Sequence, residues 1–324
     1  MLPSLSVIIP NYNGVDLVPV FFPSVIKAVE RYQGQKEILF VDDCSTDDSL
    51  TLIDCYRRQC PALEILKRNC NGGFSKTCNT GIRAATGRIL FFLNTDVELS
   101  EDFFDHFAGH FDDPNTFAVT TCGYRYGSDE QIDGVKLMKW RRGLLRVTEN
   151  IVNDKLPNNL ADPGPLWSAG VQGAYFFADA AKVGELGGFD ELLSPFVFEE
   201  TDMAYRALKR GWRIVYEPKS VAYHQVSQSL GVFKRRRVRL IATRNRLIFT
   251  WKNIHSPVFL VSHVFFHMLR LLSLNPTIWR STFMALKNIR RILAARKRER
   301  QQSIVDDRQL LKQLDRFHRS LKVR

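Results

Sequence analysis

At 324 residues, with 45% hydrophobic and 25% charged residues, the chain can build one large core plus an appendage, which excludes a disordered or low-complexity protein. The net charge of +12 is unevenly placed: residues 232–324 carry 23 Lys and Arg against 4 Asp and Glu, and residues 1–231 carry 23 against 30. A mildly acidic body with a strongly basic tail points to an anionic partner, a membrane or a nucleic acid.

In chain order, residues 5–9 predict a buried strand stopped by Pro10, and residues 16–31 a helix. A second strand over 37–41 ends at Asp42 and Asp43, and Ser45, Thr46 and Asp47 offer N-caps for a helix to about 58. A short strand over 63–66 follows, then a helix opened by Gly72 and Gly73 and ending near Gly87. The apolar run 89–93 reads as a strand buried on both faces, bounded by Asn94, Thr95 and Asp96. Strands and helices alternating at this spacing predict a doubly wound parallel sheet.

A helix over 100–111 and a strand over 117–122 continue the pattern, and residues 124–165 read as an irregular insertion. Strands are expected at 173–178, 213–216 and 221–223, and helices at 180–186 and 200–210, the latter ended by Gly211. Residues 258–274 are strongly apolar, but Ser256, His263, His267 and Arg270 share one face, so a helix in an interface or packed on the domain fits better than a membrane span. Residues 277–300 predict a second amphipathic helix, with Ile278, Phe283, Leu286, Ile289 and Leu293 on its apolar side. Residues 301–324 are polar and basic.

All six cysteines lie in the first half without a C-x-x-C pair, which argues against zinc and thioredoxin-like sites. With no basic and apolar leader before the first strand, the expected setting is reducing and cytoplasmic.

In open α/β sheets ligands bind beyond the carboxyl ends of the strands. Asp96 is expected there, where one carboxylate plus substrate phosphates could hold Mg²⁺; an ordinary Asx turn explains the same residues. Pro10, Asn11, Tyr12 and Asn13 after the first strand, and Asp42 after the second, should be neighbours, and a carboxylate there can accept from a nucleobase or ribose. Turn chemistry accounts for these too. Neither G-x-G-x-x-G after the first strand nor G-x-x-x-x-G-K-[ST] is present, which argues against dinucleotide-binding and P-loop sites. Asn71-Gly72-Gly73-Phe74 suits an anion at a helix start or a plain loop.

Glu199, Glu200 and Asp202 open a helix, as the macrodipole favours. Phe196, Val197 and Phe198 just before them would desolvate the first carboxylates and raise their pKa, as a general base near neutral pH requires. His224, at a strand end, reads as structural or as a metal ligand. His263 and His267 are four apart but lack a third ligand and are assigned no metal.

In order, SVIIPNYNG (6–14), VDDCSTDDS (41–49), RNCNGGFSKTCNTGIRAATGRILFFLNTDV (68–97), GAYFFADAAKVGELGGFDE (173–191), FVFEETDMAYRALKRGWRIVYEP (196–218), His224 and RNRLIFTWKN (244–253) resemble the inverting glycosyltransferases of family 2, within them the rhamnosyltransferase-like enzymes of cell-surface polysaccharides. The resemblance implies a GT-A fold, an α/β Rossmann-like, mostly parallel sheet with helices on both faces. Residues 1–231 would form it, with a donor half to about 98 and a catalytic half after it; residues 232–324 would be a basic, amphipathic, membrane-associating helical appendage.

It also implies a UDP- or dTDP-linked sugar donor, with a deoxyhexose such as rhamnose as the family-level guess, and a divalent cation, Mg²⁺ or Mn²⁺. The acceptor would be lipid-linked or a glycan. An anionic membrane surface would be a partner, and nucleic acid would not, since no helix-turn-helix, zinc-finger or RNP signature occurs. By match to the pattern, Pro10, Tyr12, Asn13, Asp42, Asp43, Asn71, Gly72, Gly73, Asn79, Asn94 and Thr95 would border the donor. Asp96 and His224 would hold the metal. Glu200 would be the base, with Asp202 in reserve, and Gly173, Glu199, Arg244 and Asn245 would face the acceptor. Two departures stand out: Asn94-Thr95-Asp96 replaces D-x-D, and Glu199-Glu200 replaces Glu-Asp. A nucleotide-sugar-binding relative without transfer activity is the first competing expectation, and a nucleic-acid-binding protein using the basic tail is the second.

Overall fold

The computed structural model describes residues 1–156, 166–226 and 235–322. Its first half alternates β1 (Leu5–Asn11), α1 (Val18–Arg31), β2 (Lys36–Asp42), α2 (Ser49–Cys55), β3 (Leu63–Lys67), α3 (Phe74–Ala84) and β4 (Ile89–Leu93). The strands pair in parallel in the order β3-β2-β1-β4. Side chains alternate across β1: Val7 and Ile9 join the core under α1, and Ile8 joins the core under α3. Gly81 lets α3 approach closely, since a Cβ there would lie 2.5 Å from Ile8.

Beyond β4 come β5 (Val97–Leu99), β6 (Thr116–Arg125), β7 (Gln131–Asp133), β8 (Val135–Arg141), β9 (Leu144–Ile151), β10 (Leu166–Trp167), β11 (Tyr175–Asp179), α4 (Ala180–Leu186), α5 (Glu199–Lys209) and β12 (Arg213–His224). β11 lies antiparallel between β4 and β6, and β12 runs parallel to β6. The sheet is therefore mixed, with parallel β3-β2-β1-β4 and β6-β12 pairings and helices on both faces. The chain leaves β6 at the carboxyl edge and returns at that edge, so β11 must run back. β12 then brings His224 to the same edge as the end of β4.

Three local expectations are corrected. Residues 100–111 form two 3₁₀ turns, Phe103–Asp105 and Ala108–Asp112, instead of an α-helix. Phe103, Phe104 and Phe107 all bury against Phe177, and Gly109 is a poor helix former. The expected irregular insertion contains an antiparallel ribbon, β8 with β9, turned by Arg142 and Gly143 at φ 50° and 75°; residues 157–165 of it lie outside the described residues. The two expected strands within 213–223 are one bulged strand, β12.

The rest is helical: α6 (Arg235–Asn253), α7 (Pro257–Leu272), α8 (Pro276–Leu286), α9 (Ile289–Gln302) and α10 (Asp307–Lys322). The single helix expected over 277–300 is broken at Lys287 and Asn288, and part of its expected apolar side does not face inward. Ser281, Ala285, Ile292 and Ala295 are buried, while Phe283, Leu286 and Leu293 are exposed. The break lets Ala285 and Ile292 both meet Leu247 and Ile248 of α6.

These helices are not a loose appendage. Phe249, Ile254, Leu310 and Leu311 share a core with Ala204, Tyr205 and Leu208. Buried Asp307 pairs with Lys209 at 2.6 Å and accepts from Tyr205 Oη and the His255 and Ser256 amides.

Candidate active site

The turns after β1 and β2 interlock. Asp42 Oδ1 accepts from Asn11 Nδ2 at 2.9 Å and from Ser45 Oγ at 2.5 Å, and Oδ2 accepts from the Ser45 amide. Asp43 takes the amides of Gly72 (2.9 Å) and Gly73 (2.8 Å) and pairs with Arg68. Both carboxylates are buried with their oxygens engaged. They shape the turns on which the expected donor contacts of Asp42 and Asp43 would have to be made. Asn13, at φ 52°, accepts from the Thr46 amide and donates its own amide to Ser45.

Asn79 is likewise structural: its amide donates to Phe189 O and Glu191 and accepts from Phe189 N. The donor-side groups left facing outward are half-buried Pro10, exposed Tyr12, Asn13 and Asn71, and half-buried Gly72, Gly73, Asn94 and Thr95.

At the exit of β4, Asn94 N donates to Ala174 O at 2.8 Å, and Gln225 N donates to Asp96 O at 3.0 Å. The first bond ties the end of β4 to the segment before β11, and the second brings the end of β12 to the same turn, so that His224 Nε2 lies 3.5 Å from Asp96 Oδ1. An imidazole nitrogen and a carboxylate oxygen at that separation suit two ligands of one small cation. Among the described residues no group of three His, Cys, Asp or Glu forms a complete cage. A cation here would draw its remaining ligands from water or a diphosphate, the usual habit of Mg²⁺.

The third component is the start of α5. Glu200 is half-buried, and its side chain lies against Gly173, where a Cβ would come within 3.3 Å of Glu200 Cγ. Gly173 and Ala174 thus link Glu200 to the Asn94–Asp96 turn. Glu199 differs: it is 2% exposed, and its Oε1 meets no hydrogen-bond donor among the described residues. Burial, then the neighbouring Glu200 charge, raises the Glu199 carboxyl well above the ordinary range. The desolvated carboxylate is therefore Glu199, and it is too enclosed to face an acceptor as expected.

Asp202 does not suit a reserve base. It is fully buried and held by Arg206 (2.7 Å), Lys252 (2.6 Å) and Asn253 Nδ2 (2.6 Å). Lys252 also pairs with Asp190, and despite opposing burial Lys252 and Arg206 hold the Asp190 carboxyl down at about 2.

The loop entering α5 is strained, with Val197 and Phe198 at φ 73° and 88°. Buried Asn245 of α6 holds it by donating Nδ2 to the carbonyls of Leu193 (2.6 Å), Phe196 (3.0 Å) and Val197 (2.7 Å). Arg244 donates to Ser194 O. Both residues brace the loop, and buried Asn245 cannot meet an acceptor as expected. The sequence reading missed Arg206, Lys252 and Asn253; the Asp202–Arg206 spacing of four on a predicted helix was the available signal.

Residues 6–168 match the profile described as Glycosyl transferase family 2, and residues 89–296 match Glycosyl transferase family group 2. The uncharacterized glycosyltransferase EpsJ of Bacillus subtilis is 29% identical over 132 residues, 40% of this chain and 37% of EpsJ, so the match spans well under half of that relative. GalNAc-T7, solved with UDP, GalNAc and Mn²⁺, superposes with TM-score 0.61 at 18% identity, over 78% of this chain and 48% of its own. The mannosyltransferase PcManGT of Pyrobaculum calidifontis, solved with GDP-Man and Mn²⁺, gives 0.57 at 17%, over 100% and 88%. Both likenesses concern the fold, which is GT-A.

Proposed function

The chain belongs to glycosyl transferase family 2, and from that membership we propose an inverting transfer of a sugar from a nucleotide diphosphate to a hydroxyl of a lipid-linked or polysaccharide acceptor. One observation carries the reading: at the carboxyl edge of the sheet Glu200 packs on Gly173, and the next residue, Ala174, accepts from the Asn94 amide of the turn that brings Asp96 to 3.5 Å from His224.

Glu200 takes the proton from the acceptor hydroxyl while that oxygen bonds to the anomeric carbon. The bond from that carbon to the diphosphate breaks on the opposite face, the electron pair leaves with the diphosphate, and the configuration inverts. Asp202, Arg206 and Lys252 keep the first turn of α5 in place. Asp96 and His224 would hold a divalent cation, Mg²⁺ or Mn²⁺, which when bound neutralises charge on the departing diphosphate. Pro10, Tyr12, Asn13, Asn71, Gly72, Gly73, Asn94 and Thr95 border the nucleotide. A UDP- or dTDP-linked donor is proposed, with rhamnose as one sugar to screen; GalNAc-T7 solved with UDP supports a uridine nucleotide.

The place of action is the cytoplasmic face of a membrane. The basic C-terminal region would be drawn to anionic lipid, each nearby Lys or Arg contributing about 1 kcal/mol.

A donor screen by thermal shift, with and without Mg²⁺ or Mn²⁺, identifies the nucleotide sugar, because a ligand that binds only the folded state raises its stability. With that donor, Glu200→Gln should lower turnover by about 10² to 10⁴ and leave donor affinity unchanged. Unchanged turnover removes Glu200 as base. A parent protein that binds a donor but transfers to no acceptor is the binding-only relative.

A further inference from the structure

α7 is an amphipathic helix turned inside out. Its protein-facing side carries buried His263 and His267. Trp251 Nε1 donates to His263 Nε2 at 2.9 Å, and His263 Nδ1 donates to Gly143 O at 2.7 Å, which fixes the ring against the β8–β9 turn. The outward side carries Val261, Val264, Phe265, Met268, Leu269 and Leu272, each 48–76% exposed. α8 adds exposed Trp279, Phe283 and Leu286.

Exposed apolar residues gathered in this way on two helices that Trp279 joins by donating to Leu271 O mark an interaction surface. It is flanked by exposed Arg280, Lys287, Arg290 and Arg291, and residues 218–298 contain no Asp or Glu. Among the described residues no helix is long and apolar enough to cross a membrane.

We infer that α7 and α8 form an anchor that lies in the plane of an anionic bilayer. Val264, Phe265, Met268 and Leu269 enter the acyl boundary, Trp279 sits at headgroup level, and the four cations meet lipid phosphates. The charge pattern selects this occupant. A symmetric second copy would set one acid-free cationic rim against another, whereas anionic headgroups neutralise it. The inference rests on the membrane part of the proposed function and changes it from attraction at a surface to insertion.

The experiment uses the full chain with vesicles of phosphatidylcholine alone or mixed with phosphatidylglycerol, some with brominated acyl chains. Co-sedimentation and Trp279 quenching are read, with Trp279→Phe as the subtraction control. Binding to mixed vesicles with quenching is expected. The double variant Phe265→Asp, Leu269→Asp should lose affinity about 100-fold or more and keep its melting temperature, since both side chains are already exposed. Lys287→Gln with Arg291→Gln should weaken binding and flatten its salt dependence, while quenching at saturating lipid persists.

Binding without quenching, or binding untouched by the double Asp variant, overturns insertion and leaves surface attraction standing. A dimer abolished by the double Asp variant, with no vesicle binding, assigns the face to a second copy. Absence of vesicle binding with normal transfer to a soluble acceptor overturns the membrane reading and leaves the glycosyltransferase reading intact.

Discussion

The turns after β1 and β2 and the loop before α5 meet at one edge of the sheet but treat their polar groups in opposite ways. On the donor side the oxygens of Asp42 and Asp43 are all engaged by amides, a hydroxyl or Arg68. On the other side Glu199 is buried with an oxygen that meets no donor among the described residues, directly after two residues at positive φ, one of them β-branched Val197. Such backbone costs about 1–3 kcal/mol per residue and persists only where the surroundings impose it. Asn245 and Arg244 impose it here. Both sides carry non-glycine residues at positive φ, Asn13 and Cys44 on the donor side; what separates them is that the donor-side carboxylates are met by donors, whereas Glu199 Oε1 meets none among the described residues.

The largest effect is expected at the support of the α5 side. Asp202→Ala leaves Arg206 and Lys252 buried beside an empty position, so calorimetry should show a loss of about 3–5 kcal/mol. A loss below 1 kcal/mol would mean that α5 does not depend on this pair.

Next comes a matched pair that divides the two sides. Asn245→Ala leaves buried carbonyls unmet, at about 1–3 kcal/mol, and should lower kcat while donor affinity holds. Asp43→Ala frees Gly72 and Gly73 and should weaken donor binding while turnover at saturation holds. Identical kinetic signatures for the two variants would break the contrast.

The smallest effect is a matter of pH. In the unfolded chain Glu199 ionises near the ordinary value of about 4.3; in the fold its value is raised by burial and then by Glu200. The stability this residue permits is full below the unfolded value and declines as pH rises toward the folded one. Glu199→Gln should therefore raise the melting temperature at pH 8 more than at pH 4. Equal shifts at both values would show that Glu199 already has a partner.

Much of the donor half was legible because β1, β2 and β4 are short, mainly apolar runs closed by Pro10, Asp42 and Asn94. Residues 89–93 form the expected buried strand, and Asp96 stands just beyond its carboxyl end, where its place in the sequence put it. Legibility failed where tertiary partners decide. Arg142 is an unusual residue at positive φ, so the β8–β9 turn gave little signal. Buried His263 and exposed Phe265 reverse the rule that places apolar residues inside, and periodicity reports an amphipathic helix without saying which face turns inward. Asn245 lies about fifty residues from the carbonyls it holds, and nothing local announces that task.

Gly73 and Pro195 touch backbone to backbone. The Phe74 amide donates to Pro195 O at 3.0 Å, and a Cβ on Gly73 would lie 2.7 Å from Pro195 Cα. The two loops are tied at this contact, so a nucleotide that displaces Gly73 should be felt at the entrance to α5. Arrival of one substrate then prepares the seat of the other, and product-inhibition patterns should reveal a compulsory sequence, nucleotide sugar first, in place of random entry.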